Sequence, residues 1–555
     1  MTQTSVTPQP VAAAGAGASG DGPPGAVDVP AAARELLAGL LAAPWGQISP
    51  SVYETGRLVA LAPWLSGHRT RMEFLLSAQH PDGSWGGPGS YALVPTLSAT
   101  DALLGALVRD SAPAGSESPD GESVARDRLA ASVHKGLNAC RLLLSTSAGG
   151  TLPDTPAIEI IVPALIAAVN GHLDRLPDAP HAGLDARRGA ARLPLPPGVD
   201  AALLAAVRAK VAGAREVPLK LLHSLEILGD VGAVRAGITG TVGASPAATA
   251  AWLAARAGER DAAAVDYLET VATTHGGPVP SVIPITMFER SWVLSGLHKA
   301  GVDVAGLDAA ASGRLADELS SGLGAAGASG GTGLPPDADT TSVVLLTLAQ
   351  LGRRPDVDCL WAYQADDHFC VWPGERTTSP SANAHVLETL GHHLMHRGTP
   401  APRYTAAVKA VTHWLSQQQQ PDGSWSDKWH ASPYYATGRC ALALHRFGGP
   451  AGAAAVDRAI GWLMSTQDSD GGWGRWGGTA EETGYALQVL LVAAAGRADT
   501  QAARGYGYLR AAYGQQPDPP LWHDKDLYLP TAVVHGGVLA ALHLAQRSPA
   551  VTTAR

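Results

Sequence analysis

The heptapeptide Gln419-Gln-Pro-Asp-Gly-Ser-Trp425 decides the fold, because it occurs in three versions along the chain. The other two are Gln79-His-Pro-Asp-Gly-Ser-Trp85 and Gln467-Asp-Ser-Asp-Gly-Gly-Trp473. Each version places Gln and Trp on either side of a turn that needs glycine. We therefore expect the end of a helix, a tight turn and a tryptophan that folds back on that helix. The repeat predicts a structural staple between helices rather than a catalytic group.

Apolar helices lie between these turns at intervals of roughly 40 to 55 residues, a spacing typical of helical repeats. The clearest are Thr341–Leu351, Ala382–Leu390, Tyr435–Leu444, Thr483–Ala494 and Thr531–Leu544. Helix pairs with this period close into solenoids or α/α barrels, in which one set of helices lines the interior. Strand-like alternation is weak throughout. The sequence therefore predicts an all-α fold.

Composition narrows the class of protein. The chain has 555 residues, of which 46% are hydrophobic and 16% charged, so it can bury a large core over two or more domains. Its net charge is −9, and no basic tract is present, which argues against nucleic acid as a partner.

Neither a secretory signal nor a transmembrane helix is expected. Residues 1–30 are rich in small and polar residues and contain no Lys or Arg, so we predict a disordered tail. No run of 18 apolar residues stands out elsewhere. The four cysteines lack CxxC spacing, which predicts neither disulfides nor a zinc cluster and favours the cytoplasm; they are Cys140, Cys359, Cys370 and Cys440.

The string Asp337-Ala338-Asp339-Thr340 stands where a loop containing Pro335 and Pro336 becomes the apolar helix that starts near Thr341. Two carboxylates at such a junction suit a buried acid. Taken alone, the string is better explained by Asp339 capping the helix.

Six further segments, together with the acid string and the Gln/Trp turns, resemble the class II terpene cyclases. They narrow the resemblance to the branch that acts on diphosphates, the copalyl diphosphate synthase type, over residues 45–545. The segments are Ser49-Pro-Ser-Val-Tyr-Glu-Thr55, Ala157-Ile-Glu-Ile-Ile-Val-Pro-Ala-Leu165, Leu222-His-Ser-Leu-Glu226, Ala244-Ser-Pro-Ala-Ala-Thr-Ala-Ala-Trp252, Pro280-Ser-Val-Ile-Pro-Ile-Thr-Met-Phe-Glu-Arg-Ser-Trp292 and Trp522-His-Asp-Lys-Asp-Leu-Tyr-Leu-Pro530.

This resemblance implies two α/α barrels in a βγ didomain, with the active site between them and no class I α domain. It implies proton-initiated cyclisation of geranylgeranyl diphosphate to a bicyclic labdane-type diphosphate. We expect residues 31–75 to open the β domain, 76–284 to form an inserted γ domain and 285–545 to complete the β domain with the acid. Polar interruptions fall at Asp110–Gly121 and Leu176–Asp200 in the γ domain, and a tail at 546–555 ends the chain.

The resemblance also assigns the start of the reaction. Asp339 matches the family's general acid, and Asp337 would hydrogen-bond to it. Thr340 stands where a third Asp is common, and its hydroxyl can still donate to a carboxylate. Asn383, at the start of an apolar helix, is expected to contact Asp339.

The end of the reaction is less closely matched. His223 corresponds to a histidine that, with an asparagine, holds the terminating water in plant relatives, which makes it a possible base. Ser281 occupies the asparagine position, and a hydroxyl cannot reproduce the hydrogen bonds of an amide. This difference leaves the product and its stereochemistry open, and a satisfied interior histidine is an equal alternative for His223.

The substrate needs cations at one end and aromatic faces at the other. Glu159 and Asp154 resemble the acidic region linked to Mg²⁺. Four basic residues could pair with the diphosphate or lie in solvent: Lys220, Lys210, Arg208 and Lys525. Six aromatic residues lie on or beside expected inner helices, and we expect two or three to face the substrate: Trp292, Trp372, Trp429, Tyr434, Tyr435 and Tyr485.

Other functions stay open at this point. Farnesyl diphosphate, giving drimenyl diphosphate, is the alternative substrate. A squalene-type triterpene cyclase would show more Gln/Trp turns, and a class I synthase would need more than Asp366-Asp367. A non-catalytic prenyl-binding barrel and a zinc-dependent prenyltransferase subunit are more distant. The expected partners are the prenyl diphosphate itself and a downstream class I terpene synthase; the oligomeric state is not indicated.

Overall fold

The computed structural model describes residues 27–109, 125–146, 152–175, 192–212, 214, 216–229, 234–256, 261–396, 402–515 and 518–552. The helices before residue 280 are α1 Val29–Ala42, α2 Val52–Leu61, α3 His68–Ser77, α4 Leu93–Arg109, α5 Arg126–Thr146, α6 Ile158–Leu173, α7 Ala201–Ala212, α8 Leu219–Leu222, α9 Leu225–Leu228, α10 Pro246–Ala254 and α11 Ala262–Thr274. Those after it are α12 Thr286–Lys299, α13 Val304–Leu307, α14 Ala309–Gly322, α15 Ala338–Gln350, α16 Pro380–His396, α17 Pro402–Gln418, α18 Pro433–Phe447, α19 Gly449–Ser465, α20 Ala480–Ala493, α21 Asp499–Ala512, α22 Thr531–Arg547 and α23 Pro549–Thr552. Short 3-10 helices span Gly89–Ala92 and Asp358–Tyr363, and one hairpin pairs β1 Trp522–His523 with β2 Leu527–Tyr528.

Six helices close a ring, which we call the C-terminal ring. In packing order they are α12, α15, α16, α18, α20 and α22, and α22 returns to α12. Helices α1, α14, α17, α19 and α21 pack outside them. Five of the six inner helices are those that the apolar pattern predicts, and the all-α prediction is confirmed. The pattern works here because a helix buried on most sides is apolar all round.

A second ring, the N-terminal ring, joins α2, α4, α6, α9 and α10, with α3, α5, α7 and α11 outside. Its core includes Tyr53, Leu58 and Leu75. Residues 52–77 therefore pack in this ring, whereas the sequence places 31–75 with the β domain. Only α1 behaves as expected, since Leu36 and Leu40 join the core of the C-terminal ring.

The Gln/Trp turns are staples, as the sequence predicts. The Trp425 indole Nε1–H donates to Leu415 O at 2.9 Å on the preceding helix, while the Trp425 backbone N–H donates to Thr437 Oγ1 at 3.0 Å on the next inner helix. Trp85 and Trp473 repeat both bonds in the other two turns. The turn glycine has a positive φ, +99° at Gly423, which favours glycine.

Replacing Trp425 by alanine should lower the free energy of unfolding by about 3–5 kcal/mol, because it removes a fully buried aromatic and leaves a cavity. Urea unfolding followed by far-UV circular dichroism measures the effect. Trp476→Ala is the matched control, since Trp476 is 42% exposed and its loss should change stability by about 0.5 kcal/mol or less. Equal losses in the two variants would contradict the staple.

The β1–β2 hairpin joins the two rings. Its tip residue Asp526 accepts hydrogen bonds from Ser51 Oγ at 2.8 Å and from Tyr53 N at 3.0 Å, both in the N-terminal ring. The neighbouring Lys525 reaches Glu54 and Glu226 in that ring. The hairpin thus inserts a charged tip from one ring into the wall of the other.

Several expectations about the ends and interruptions change or stay outside the description. Gly89–Arg109 is long and apolar enough to span a membrane, which the sequence reading overlooks, but 89% of its most apolar window is buried inside the protein. The expected tail at 546–555 instead includes α23, and Val551 packs in the core. Residues 1–26, 110–124 and 176–191, which carry the expected N-terminal tail and most of the two polar interruptions, lie outside the described residues.

Candidate active site

A cavity of about 210 Å³ lies between the two rings. The N-terminal ring side contributes Pro156, Leu219, Lys220 and His223. The C-terminal ring side contributes the acid string, α12 and the hairpin. The lining is mainly apolar with a few polar groups, an arrangement typical of small-molecule sites.

The acid string lies at the cavity wall, and its two acids have different local roles. Asp337, not Asp339, caps α15, because its Oδ1 accepts from Thr340 N at 2.6 Å. Asp339 lies in the first turn, where the helix N-terminus favours a negative charge, and lines the cavity. The expected hydrogen bond between the two carboxyls is absent among the described residues. Thr340 donates its backbone N–H to Asp337 rather than to Asp339.

The carboxyl pair is nevertheless coupled electrostatically. Burial and, after it, the nearby Asp339 raise the pKa of Asp337 to about 7, against hydrogen bonds from Thr340. Two acids this close in an apolar site disfavour simultaneous ionisation. Asp337 is therefore partly protonated near neutral pH.

The direct partner of Asp339 is His385, which the sequence reading misses. His385 Nδ1 lies 2.6 Å from Asp339 Oδ1, and the ring packs edge-on against Trp292 with centroids 5.1 Å apart. His385 occurs in Ser381-Ala-Asn-Ala-His385, at the start of α16 and two residues after Asn383. The same stretch of sequence therefore carries a signal for His385, although the sequence expectation falls on Asn383.

Asn383 does not contact Asp339, which makes that expectation wrong. Its amide Nδ2 donates to Phe369 O at 2.9 Å and to Ser379 O at 3.0 Å, while its Oδ1 accepts from Phe369 N at 2.8 Å. All of its described partners are backbone groups. Asn383 points away from the acid because residues 383 and 385 lie on different faces of α16.

Behind His385, α16 carries a second buried charge pair. Glu388 Oε2 accepts from Lys299 Nζ at 2.8 Å. Burial opposes the charge on Glu388, but Lys299 and then His385 outweigh it and lower the pKa of Glu388 to about 2. Glu388 is therefore an anion close to His385.

The predicted aromatic residues separate into three groups. Trp292, Trp372 and Trp429 line the cavity, joined by Phe288 and Trp522, which the sequence did not single out. Tyr435 and Tyr485 lie behind this wall: Tyr435 OH accepts from Trp292 Nε1 at 3.2 Å, and Tyr485 OH donates to Glu481 at 2.9 Å. Tyr434 faces away from the cavity and packs on Trp462 in the helix core, so its expected substrate contact is wrong.

His223 lies at the cavity wall, held on both ring nitrogens. Nδ1 lies 2.6 Å from Gly243 O, and Nε2 lies 2.9 Å from Asp524 Oδ1. Burial opposes the charge on His223, but the Asp524 carboxylate outweighs it and raises its pKa. Burial likewise opposes the charge on Asp524, but His223 outweighs it and lowers its pKa to about 2.

Ser281 is buried beside this pair. It helps to lower the pKa of Asp524, although its Oγ makes no hydrogen bond of good geometry to any described residue. The sequence pairs Ser281 with His223 only through the family pattern, whereas the structure adds Asp524. No sequence signal links Asp524 to His223, because the two are 301 positions apart.

Two of the four basic residues are already engaged. Lys525 is fully buried and pairs with Glu54 at 2.5 Å and Glu226 at 2.9 Å. Arg208 donates to Ile227 O at 2.9 and 2.7 Å. Lys525 is therefore committed to two carboxylates, and neither Lys525 nor Arg208 is in the cavity lining, so the structure does not give either of them the expected role.

Lys210 is exposed on α7 and does not line the cavity, whereas Lys220 is exposed at its edge and does. Lys428, a cation that the sequence missed, lies over the rings of Trp372 and Trp429, 5.6 and 5.2 Å from their centroids. Its Nζ also donates to Glu375 at 2.6 Å. Lys220 is therefore in the cavity lining, and Lys428 lies against two tryptophans that are in it.

Asp154 and Glu159 flank Pro156, which lines the same cavity. Partial burial raises the pKa of Asp154; Lys428 opposes the rise and Glu159 adds to it. Asp154 therefore lies close enough to Glu159 and Lys428 for their charges to act on its pKa. Within the described ranges, no group of three or more His, Cys, Asp or Glu side chains is arranged for a metal.

Comparison with known proteins gives several matches. A family profile described as "Squalene-hopene cyclase C-terminal domain" matches residues 376–531. An ent-copalyl diphosphate synthase from Streptomyces sp. (strain KO-3988) is 45% identical over 526 residues, 93% of this chain and 96% of that protein. A labda-7,13-dienyl diphosphate synthase from Streptomyces clavuligerus is 41% identical over 538 residues, 95% of both chains. The solved ent-copalyl diphosphate synthase from Streptomyces platensis superposes with a TM-score of 0.86 at 45% identity and covers 93% of this chain and 99% of that one.

Proposed function

The chain belongs to the class II diterpene cyclases of the copalyl diphosphate synthase type, isomerases of prenyl diphosphates, and we propose that Asp339 is the acid that starts its reaction. The reaction is the cyclisation of geranylgeranyl diphosphate to a bicyclic labdane-type diphosphate. The observation that carries the proposal is the pair of Asp339 and His385, 2.6 Å apart at the wall of an apolar cavity.

The acid must protonate an alkene, which is a weak base. Burial in an apolar site keeps a carboxyl protonated, and groups that stabilise its conjugate base make loss of the proton feasible. Two such groups are present at Asp339: the N-terminus of α15 and the His385 ring. His385 touches the acid rather than the substrate, so we regard it as a positioning residue.

The cation formed by protonation needs a surface that stabilises positive charge without attacking it. Aromatic faces do this through their quadrupoles, and they exclude water. The rings of three residues form a contiguous aromatic wall: Trp292, Phe288 and Trp522. The centroid of the Phe288 ring lies 4.7 Å from that of Trp292 and 5.3 Å from that of Trp522. We place the polyene chain against this wall, next to the Asp339 side chain.

We place the diphosphate where Lys428 lies over Trp372 and Trp429, with Lys220 as a second cation of the cavity lining. The buried indole N–H groups of Trp372 and Trp429 have no acceptor among the described residues, and both residues line the cavity. Phosphate oxygens would satisfy donors of this kind. The placement orients the substrate with its head at the edge and its terminal alkene inside.

Mg²⁺ fits the acidic pair at this edge. Protein-bound Mg²⁺ usually takes one or two carboxylates together with phosphate oxygens and water. Asp154 and Glu159 supply such a donor set, so they are the residues that would hold the ion. Its contribution would be to neutralise charge on the retained diphosphate.

The stereochemistry and final double bond of the product need a different kind of support. Relatives at 45% and 41% identity are named for different products, so overall similarity alone does not select one. The groups that remove the last proton decide it. We also propose a cytoplasmic location, supported by four free cysteines, and a downstream class I synthase as the consumer of the diphosphate.

Incubation of the purified protein with geranylgeranyl diphosphate and Mg²⁺, followed by dephosphorylation and mass spectrometry, tests the function. We expect a bicyclic diterpene alcohol, little conversion of farnesyl diphosphate, and slower turnover when the metal is chelated. A drimane alcohol from farnesyl diphosphate as the main product would replace the C20 assignment. No consumption of either substrate would refute the cyclase activity.

A further inference from the structure

His223 has no lone pair with which to accept a proton. Its Nδ1 faces the carbonyl oxygen of Gly243 at 2.6 Å, and a carbonyl can only accept a hydrogen bond. Its Nε2 faces Asp524 Oδ1 at 2.9 Å, and an ionised carboxylate can also only accept. Both nitrogens must therefore carry hydrogen, so the ring is an imidazolium whose two N–H groups are already engaged.

The carboxylate beside it is differently placed. Asp524 lines the cavity, its side chain retains 8% exposure, and only Oδ1 is paired with His223. Its Oδ2 is buried and accepts no hydrogen bond from the described residues. The adjacent Ser281 hydroxyl is also buried and unpartnered there. Asp524 thus combines a place in the cavity lining with a carboxylate oxygen that is not paired with His223, and such a group can act as a base.

We propose that Asp524 is the base that ends the cyclisation, and that His223 is a positioning residue that holds it. A C–H bond next to the cationic carbon breaks, and its electron pair forms the alkene. The proton passes to the Asp524 carboxylate, while the diphosphate stays attached. The inference rests on the proposed function, and it reverses the role expected for His223 from its sequence motif.

The ion pair is compatible with this role. A carboxylate beside an imidazolium is a weak base, but a carbocation is a far stronger acid, so position matters more than basicity. The pairing also keeps Asp524 ionised before the cation forms. Lys525, the next residue, is fully buried against Glu54 and Glu226, and its charge also helps to lower the pKa of Asp524.

The test compares products of Asp524→Asn with those of the unchanged protein, using geranylgeranyl diphosphate, Mg²⁺ and dephosphorylation. Substrate consumption should stay within about tenfold of the unchanged protein, because Asp339 and His385 are intact. The normal alkene should fall to a minor fraction, replaced by an alcohol from water capture or by isomeric alkenes. His223→Gln, which keeps an N–H donor for Asp524, should retain the normal alkene as its main product.

Asp526→Asn is the matched control, since Asp526 lies in the same hairpin and its carboxylate is held by Ser51 and Tyr53. It should change stability but not the product. An unchanged product from folded Asp524→Asn overturns the proposal, as does loss of the normal alkene in folded His223→Gln. If Asp524→Asn does not fold, the His223→Gln product decides. Consumption of substrate is the separate readout that would fail if the proposed function itself were wrong.

Discussion

Asp339→Asn should lower turnover of geranylgeranyl diphosphate by a factor on the order of 10³ or more, at the upper end of what general acids contribute. The amide keeps the shape of the side chain but has no proton acidic enough for an alkene. Substrate binding should persist, because the proposed diphosphate site at Lys220 and the tryptophans is unchanged. Product formation by mass spectrometry and binding by quenching of tryptophan fluorescence measure the two effects.

Asp367→Asn is the matched control for this substitution. Asp367 Oδ1 lies 2.8 Å from His368 Nδ1, so the pair repeats the Asp339–His385 contact, but its Asp side chain is 59% exposed and outside the cavity. This variant should cyclise the substrate at the normal rate. Retained cyclisation in Asp339→Asn would show that the proton comes from another group.

His385→Ala should lower kcat by about 10- to 100-fold and leave KM nearly unchanged. The Asp339 carboxylate left after proton transfer loses a hydrogen bond to a charged group, which contributes about 1.5–3 kcal/mol. His385→Asn should recover part of the rate, since an amide can still donate. Steady-state kinetics over a range of pH separates this role from a structural one, because loss of His385 should alter the pH profile as well as the rate.

His368→Ala serves as the control, as it removes the histidine of the repeated pair, which is partly buried, stacks on Trp414 and lies outside the cavity lining. A kcat for His385→Ala equal to that of the control would remove His385 from the reaction. A fall in thermal stability without any change in kcat would assign His385 to packing, through its contact with Trp292.

Much of the fold follows from local sequence. The Gln/Trp staples can be predicted because a glycine turn and the tryptophan that follows it lie within seven residues. Their hydrogen bonds reach only the neighbouring helices. The inner helices can be predicted because burial on most sides makes them apolar all round. The boundary between the rings could not be predicted from the sequence, since α2 and α3 would show the same apolar pattern in either ring.

Only part of the candidate site could be predicted from the sequence. Asp339, Asp337 and the three cavity tryptophans follow from motif and position, and the structure places them at one cavity. Lys525 illustrates the limit. Its motif marked it as a cation for the substrate, but whether a lysine is available depends on which carboxylates fold around it, and Glu54 and Glu226 lie far from it in sequence.

The sequence by itself determined the all-α architecture, the staples and the helix start that carries the acid, because turn chemistry and helical periodicity act over a few residues. Tertiary structure alone decided the partners of the charged groups. His385 meets Asp339 across 46 positions, and Asp524 meets His223 across 301. The protonation of a buried group depends on the charges packed against it, and those come from distant segments that only the fold brings together.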